Sequence, residues 1–198
     1  ANPSLFNGTI YMMTEHTARD QVLVGKVQPA SFASLLYWRE QGFPQAGALN
    51  CFGSAVLRSR HGDIVYGRMG PKTANAGRVY PPGGSFSVED IAGGSLDVER
   101  NITRELEEET GIRADECERE AGYLLVRDGS LLSVAARFHL KASAHEIRKR
   151  VLDYLTTVPD PELDDIVVLR NASLCSSYTM PGYARDLVLF LLSGNAMS

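Results

Sequence analysis

Apolar and polar positions along this chain predict strands and helices interleaved without a regular rhythm. Residues 8–13 (GTIYMM) and 21–27 (QVLVGKV) are β-prone apolar runs parted by a polar stretch, which predicts an N-terminal hairpin or pair of short strands. Ser31 offers a cap to a helix over 32–40. Phe32, Leu35, Leu36 and Tyr37 recur there at helical spacing, and Gly42 and Pro44 stop it. Two further β-rich runs, CFGSAVLRSR and IVYGRMG, flank His61-Gly62-Asp63 and predict a hairpin. Residues 70–84 are a Gly/Pro-rich loop with a short strand at 78–80, and 85–95 also reads as loop. A helix is expected from Asp97 to about Thr110, ended by Gly111. Strands at 122–127 and 131–140 join through Asp128-Gly129. Ile147, Val151, Leu152 and Leu155 stripe a helix over 145–155, which Pro159 and Pro161 break. A strand at 163–169 and a helix at 182–192 complete the order. The βαβ alternation of a parallel sheet is missing, so the expected class is α+β, or packed sheets with flanking helices, with no dividing linker.

Length and charge narrow the partners. A chain of 198 residues can bury a core as one domain. Its 44% hydrophobic residues exclude wholesale disorder. A net charge of -4 leaves no global basic footprint, so bulk nucleic-acid binding is not expected. Cys51, Cys117 and Cys175 are odd in number and far apart, and they read as free thiols in a reducing compartment. No apolar run nears the roughly 20 residues of a membrane span, and no basic segment followed by an apolar one opens the sequence. A cytoplasmic protein without membrane partners is the simplest expectation.

The segment that carries chemistry is Arg104-Glu105-Leu106-Glu107-Glu108-Glu109-Thr110-Gly111-Ile112. At about 100° per residue, Glu105, Glu108 and Glu109 share an arc of about 100°, while Glu107 points away. Ile102 and Leu106 form a narrow apolar seam for packing. The i,i+4 pair Glu105 and Glu109 is repulsive by roughly a few tenths of a kcal/mol even on an exposed helix. The C-terminal half of a helix also disfavours anions. A hard divalent cation, Mg2+ or Mn2+, would offset this repulsion. A solvated acidic helix face is the other reading of the same pattern.

The string RELEEETGI resembles the second half of the Nudix box, G-x5-E-x7-R-E-U-x-E-E-x-G-U, where U is apolar. Arg104, Glu105, Leu106, Glu108, Glu109, Gly111 and Ile112 match every specified position. PPGG, ending at Gly84, precedes it as the family's Gly-Gly turn does. The first half departs from the pattern: Asp90 stands where it has Gly, and Leu96 where it has Glu. An insertion in this loop accounts for the spacing. Asp97 is then expected to replace the missing Glu and hold the Arg104 guanidinium.

The resemblance implies a Nudix-type α/β/α sandwich with a mixed sheet and the box on a loop-helix-loop. It implies a single domain over 1–198, with an N-terminal extension at 1–45 and a catalytic core at about 50–195. It further implies metal-dependent hydrolysis of a nucleoside diphosphate linked to another moiety, with Mg2+ or Mn2+ as cofactor. Glu105, Glu108, Glu109, Glu162 and a carbonyl of Gly83 or Gly84 would surround the cation. Glu105 would be the candidate general base, with Glu108 beside it and Arg104 as an orienting group. Lys72, Arg78 and Arg58 would be candidates to contact the phosphates of a small nucleotide-type substrate. By the same resemblance, the extension could form a homodimer interface. A catalytically inactive Nudix-fold module that binds a nucleotide or RNA is the alternative, for which Leu96 argues; an unrelated protein with an acidic helix is a third.

Overall fold

The computed structural model describes residues 7–44 and 47–193. The outermost parts of the expected extension and core, including 1–6 and 194–195, lie outside the described residues. The chain opens with the hairpin β1 (Thr9–Arg19) and β2 (Val22–Ser31), followed by α1 (Phe32–Glu40). Ser31 caps α1 by accepting the Ser34 N–H at 3.0 Å. Then come β3 (Asn50–Arg58), β4 (Ile64–Met69), β5 (Val79–Tyr80) and a 3-10 turn at Val88–Asp90. A small hairpin, β6 (Ile91–Ala92) and β7 (Ser95–Leu96), leads into α2 (Val98–Thr110). The second half contains β8 (Glu118–Arg119), β9 (Leu124–Asp128), β10 (Leu131–His139), α3 (Ala144–Leu155), β11 (Leu163–Leu169) and α4 (Gly182–Leu192). The segment read as loop at 85–95 therefore holds a turn and a hairpin. Runs of two or three residues are too short to carry a period.

The main sheet runs β11-β4-β3-β10-β8, with β5 on β4 and β9 on β10. It is mixed: β3 and β10 pair in parallel from Asn50 with Leu131 to Arg58 with His139, and the remaining pairs are antiparallel. Both central strands are buried on both faces, which fits their near-continuous apolar runs. Successive residues of β3 show what covers each face. The Phe52 ring meets Tyr183 of α4 at 5.0 Å between centroids. Gly53 faces α2, where an added Cβ would lie 2.6 Å from Ile102 Cγ1. Helices thus cover both faces of a mixed sheet, and the fold is α+β.

The close approach at Gly53 sets a testable limit. Gly53→Ala is expected to lower unfolding free energy by about 1–3 kcal/mol through overpacking, read from denaturant midpoints. The seam expected on α2 is present: Ile102 and Leu106 are fully buried, and Glu107 is exposed.

The N-terminal hairpin joins this body by backbone pairing. Tyr11 N–H donates to the Phe86 carbonyl at 2.9 Å, and Met13 and Leu49 exchange bonds at 3.0 and 2.8 Å. Met13, Leu49, Cys51, Phe86, Leu132 and Val134 bury together in a second apolar cluster. Cys51 and Cys175 are buried, Cys117 is half-buried, and all three are free. Among the described residues, no helix is long and apolar enough to cross a membrane.

Candidate active site

Helix α2 presents its carboxylates beside the Gly83-Gly84 turn. Its start is fixed by Asp97, whose carboxylate accepts the Arg100 N–H at 3.0 Å. That N-cap role replaces the one expected for Asp97: Arg104 is held by other residues. Gly111 ends the helix at φ 66°, and its N–H returns to the Glu107 carbonyl at 2.8 Å. Helix α3 secures this end. Arg150 donates to the Gly111 carbonyl at 3.0 Å, and Tyr154 Oη donates to the Glu108 carbonyl at 3.1 Å. A cation at a helix C-terminus also complements the dipole there.

Glu105, Glu108, Glu109 and Glu162 line one cavity of about 100 Å³, together with Leu155, Val158, Asp160 and Pro161. Glu109 is its deepest member. One carboxylate oxygen, Oε1, accepts the Gly83 N–H at 3.2 Å. The other, Oε2, is buried without a hydrogen-bond partner. Burial, then the charges of Glu105 and Glu162, raise the Glu109 carboxyl well above the ordinary range. Burial pushes Glu105 up to about 7, against the opposing pull of Arg104. Glu105 Oε1 lies 2.8 Å from Arg104 Nη2, and Glu108 Oε2 lies 3.0 Å from Arg104 Nη1. Glu162 sits at the exposed mouth, where partial desolvation and the Glu108 charge raise its carboxyl. Asp164 and Asp165, the other acids of that segment, are tied to Arg68 at 2.7 and 3.6 Å.

The glycine turn is shaped for this helix. A Cβ on Gly84 would lie 2.5 Å from Glu105 Oε1, so only glycine leaves that carboxylate in place. The Gly84 carbonyl accepts the Gly53 N–H at 3.2 Å. A carbonyl expected to face a cation is therefore already bonded to β3, with one lone pair remaining.

The expected cations separate. Lys72 pairs with Asp160 at the cavity rim. Arg78 is exposed beside Tyr80, whose hydroxyl is raised by burial and by the Glu109 charge. Arg58 is not brought to this site. It lies at the far end of β3, about 17 Å along the strand from Gly53 at the usual rise, and donates to the Gly62 carbonyl of its own turn at 3.4 Å. A position at the end of a hairpin strand carries no signal of which sheet end holds the chemistry.

Two features escaped the sequence. Asp90, fully buried, lies 3.3 Å from Arg104 Nη2. An open cleft of about 650 Å³ also lies along α2, lined in part by Arg100, Arg104, Glu108, Arg113 and Tyr154, and it shares Glu108 with the smaller cavity. The smaller cavity is the chemically distinctive one, because the buried unpartnered carboxylate oxygen lies there.

No family model and no curated protein matches the chain. Solved structures do. DR0079 from Deinococcus radiodurans is 13% identical over 90% of this chain and 97% of its own, with a TM-score of 0.57. This likeness supports the fold. Looser neighbours include the MutT protein from Methanosarcina mazei Go1, 21% identical over 74% of this chain and 95% of its own, at TM-score 0.47. The NUDIX domain of Shewanella oneidensis NrtR, solved with ADP ribose, is 16% identical over 81% of this chain and 96% of its own, at 0.44.

Proposed function

We propose that this chain is a metal-dependent pyrophosphohydrolase of Nudix type, acting on a nucleoside diphosphate linked to another moiety. The observation that carries the reading is Glu109 Oε2, buried without a hydrogen-bond partner in a cavity shared with Glu105, Glu108, Asp160 and Glu162. Buried polar groups are normally satisfied, and several crowded carboxylates call for positive charge. Among the described residues, no three His, Cys, Asp or Glu side chains stand together as a ready-made metal site. The fit rests instead on the donor chemistry: hard oxygens, one of them unpartnered, suit Mg2+ or Mn2+. Glu105, Glu108, Glu109 and Glu162 would hold the cation. When bound, it would supply positive charge between these carboxylates and a diphosphate and would acidify water.

The side chains then divide the work. Arg104 engages Glu105 Oε1, which leaves Oε2 to take a proton from the attacking water. The water oxygen forms a bond to phosphorus, the bridging P–O bond breaks, and the leaving phosphate oxygen takes the electron pair. Arg78 and Lys72, on the loop over this end of the sheet, are proposed to engage the phosphates. The Arg58 position gives no support for such a role. A cytoplasmic location and a homodimer through the N-terminal extension are also part of the proposal.

The test is hydrolysis of a panel of UDP-sugars, ADP-ribose, NADH, CoA, diadenosine polyphosphates and nucleoside triphosphates with Mg2+, Mn2+ or EDTA. Turnover of one class, abolished by EDTA, is expected. Binding without turnover under every condition would instead favour a nucleotide-binding module.

A further inference from the structure

The Arg104 guanidinium is shared among four carboxylates. Nη2 meets Asp90 and Glu105, Nη1 meets Glu108, and Nε lies 4.0 Å from Glu89. Asp90 differs from the others because it alone is wholly buried. It ends the 3-10 turn, and Oδ2 accepts the Ser87 N–H at 2.8 Å and the Asn101 amide at 2.9 Å. Asn101 is itself fully buried on α2, one turn before Glu105. The Asp90 backbone carbonyl accepts the Asp97 N–H at 2.7 Å, which closes the β6–β7 hairpin at the start of α2. Asp90 is thus fixed from three directions before it reaches Arg104.

Leu96, which stands where the sequence pattern has a glutamate, packs against the apolar cluster of Met13, Leu49, Cys51 and Phe86. A carboxylate at this half-buried position would be set against apolar groups.

We propose that Asp90 is a positioning residue: by anchoring the Arg104 fork, it sets the Glu105 and Glu108 carboxylates toward the cavity. Asp90 and Glu105 share Nη2, while Glu108 takes Nη1. Its consequence for cation binding rests on the metal-dependent reading above; its hold on the two glutamates does not.

The test compares wild type, Asp90→Asn and the charge-matched control Glu89→Gln, whose parent side chain is exposed. Three readouts are taken: Mn2+ affinity by electron paramagnetic resonance, the Arg104 guanidinium NMR signals, and the 13C carboxyl signals of Glu105 and Glu108. Asp90→Asn is expected to weaken Mn2+ binding about 10- to 100-fold, average the Arg104 signals and move both carboxyl signals, while Glu89→Gln changes little. Asp90→Asn with unmoved Arg104 and glutamate signals overturns the proposal, whatever its melting temperature. An equal effect of Glu89→Gln overturns it too, since charge alone would then explain the result. If Asp90→Asn fails to fold, Asn101→Ala serves in its place, because it removes the amide that orients the carboxylate, along with that amide's 3.5 Å contact to the Ser85 carbonyl, and leaves the Asp90 charge in place. Wild-type protein that binds no Mn2+ would sink the metal-dependent reading, and the NMR signals would still decide the role of Asp90.

Discussion

The Glu109→Gln protein, stripped of divalent cations, is expected to melt at a higher temperature than wild type at pH 8, and to have lost Mn2+ binding. The reason lies in proton linkage. A carboxyl whose folded pKa is raised binds protons more tightly folded than unfolded. Its contribution to stability is full below the unfolded value and is lost as pH rises through the folded one. Glu105 loses its share between about pH 4.5 and 7, which amounts to about 3 kcal/mol. Glu109 is shifted in the same direction by its deeper burial and by its neighbours' charges, so its loss extends to higher pH. Glutamine keeps an oxygen for the Gly83 N–H and cannot ionise. The gain should be on the order of 1–3 kcal/mol, the usual range for single substitutions. Thermal melts in EDTA at pH 5 and pH 8 check this, because the gap between variant and wild type should widen with pH. Saturating Mn2+ should reverse the ranking by stabilising wild type alone. An equal gap at both pH values would mean that Glu109 is not the strained acid described here.

Glu105→Gln is expected to leave the fold nearly intact, to weaken cation binding, and at saturating Mn2+ to lower kcat by about 100- to 10,000-fold, the ordinary contribution of a general base. The amide oxygen can still accept from Arg104 Nη2, so the guanidinium fork keeps a partner. What is lost is the ability to take a proton, together with one anionic ligand for the cation. Glu107→Gln is the control: Glu107 lies on the exposed side of the same helix and should retain full activity. Steady-state kinetics on the substrate found in the panel separate the cases. A rise in KM with unchanged kcat would assign Glu105 to binding and move the base to another carboxylate.

Much of this arrangement is legible from local chemistry. Ser31 and Gly111 mark helix ends because capping depends on one or two residues and their backbone angles. The seam of Ile102 and Leu106, with Glu105, Glu108 and Glu109 to one side, follows from the helical repeat. Asp90 was not legible, because a three-residue turn has no period and its burial comes from Asn101 and Arg104, residues later in the chain. Asp97 illustrates the converse: a carboxylate two turns before Arg104 can face it, but a residue just ahead of a helix has free N–H groups nearer at hand. Arg58 stands at the other end of β3 from Gly53, and this was not legible because strand periodicity gives the face of a side chain and not the end of the sheet to which it belongs.

The parallel pairing of β3 with β10 has a kinetic consequence. These neighbouring strands flank α2 in sequence, with Asn50 paired to Leu131 and Arg58 to His139. The chain must therefore close a loop of some eighty residues before the strand beneath α2 gains its central partner. Such long-range pairing slows folding. During synthesis from the N-terminus, the hairpin and α1 can form while the carboxylate helix still lacks β10 beneath it. The cavity is completed only after Glu162 has emerged, so a chain arrested before Glu162 would carry the acidic helix without the complete site.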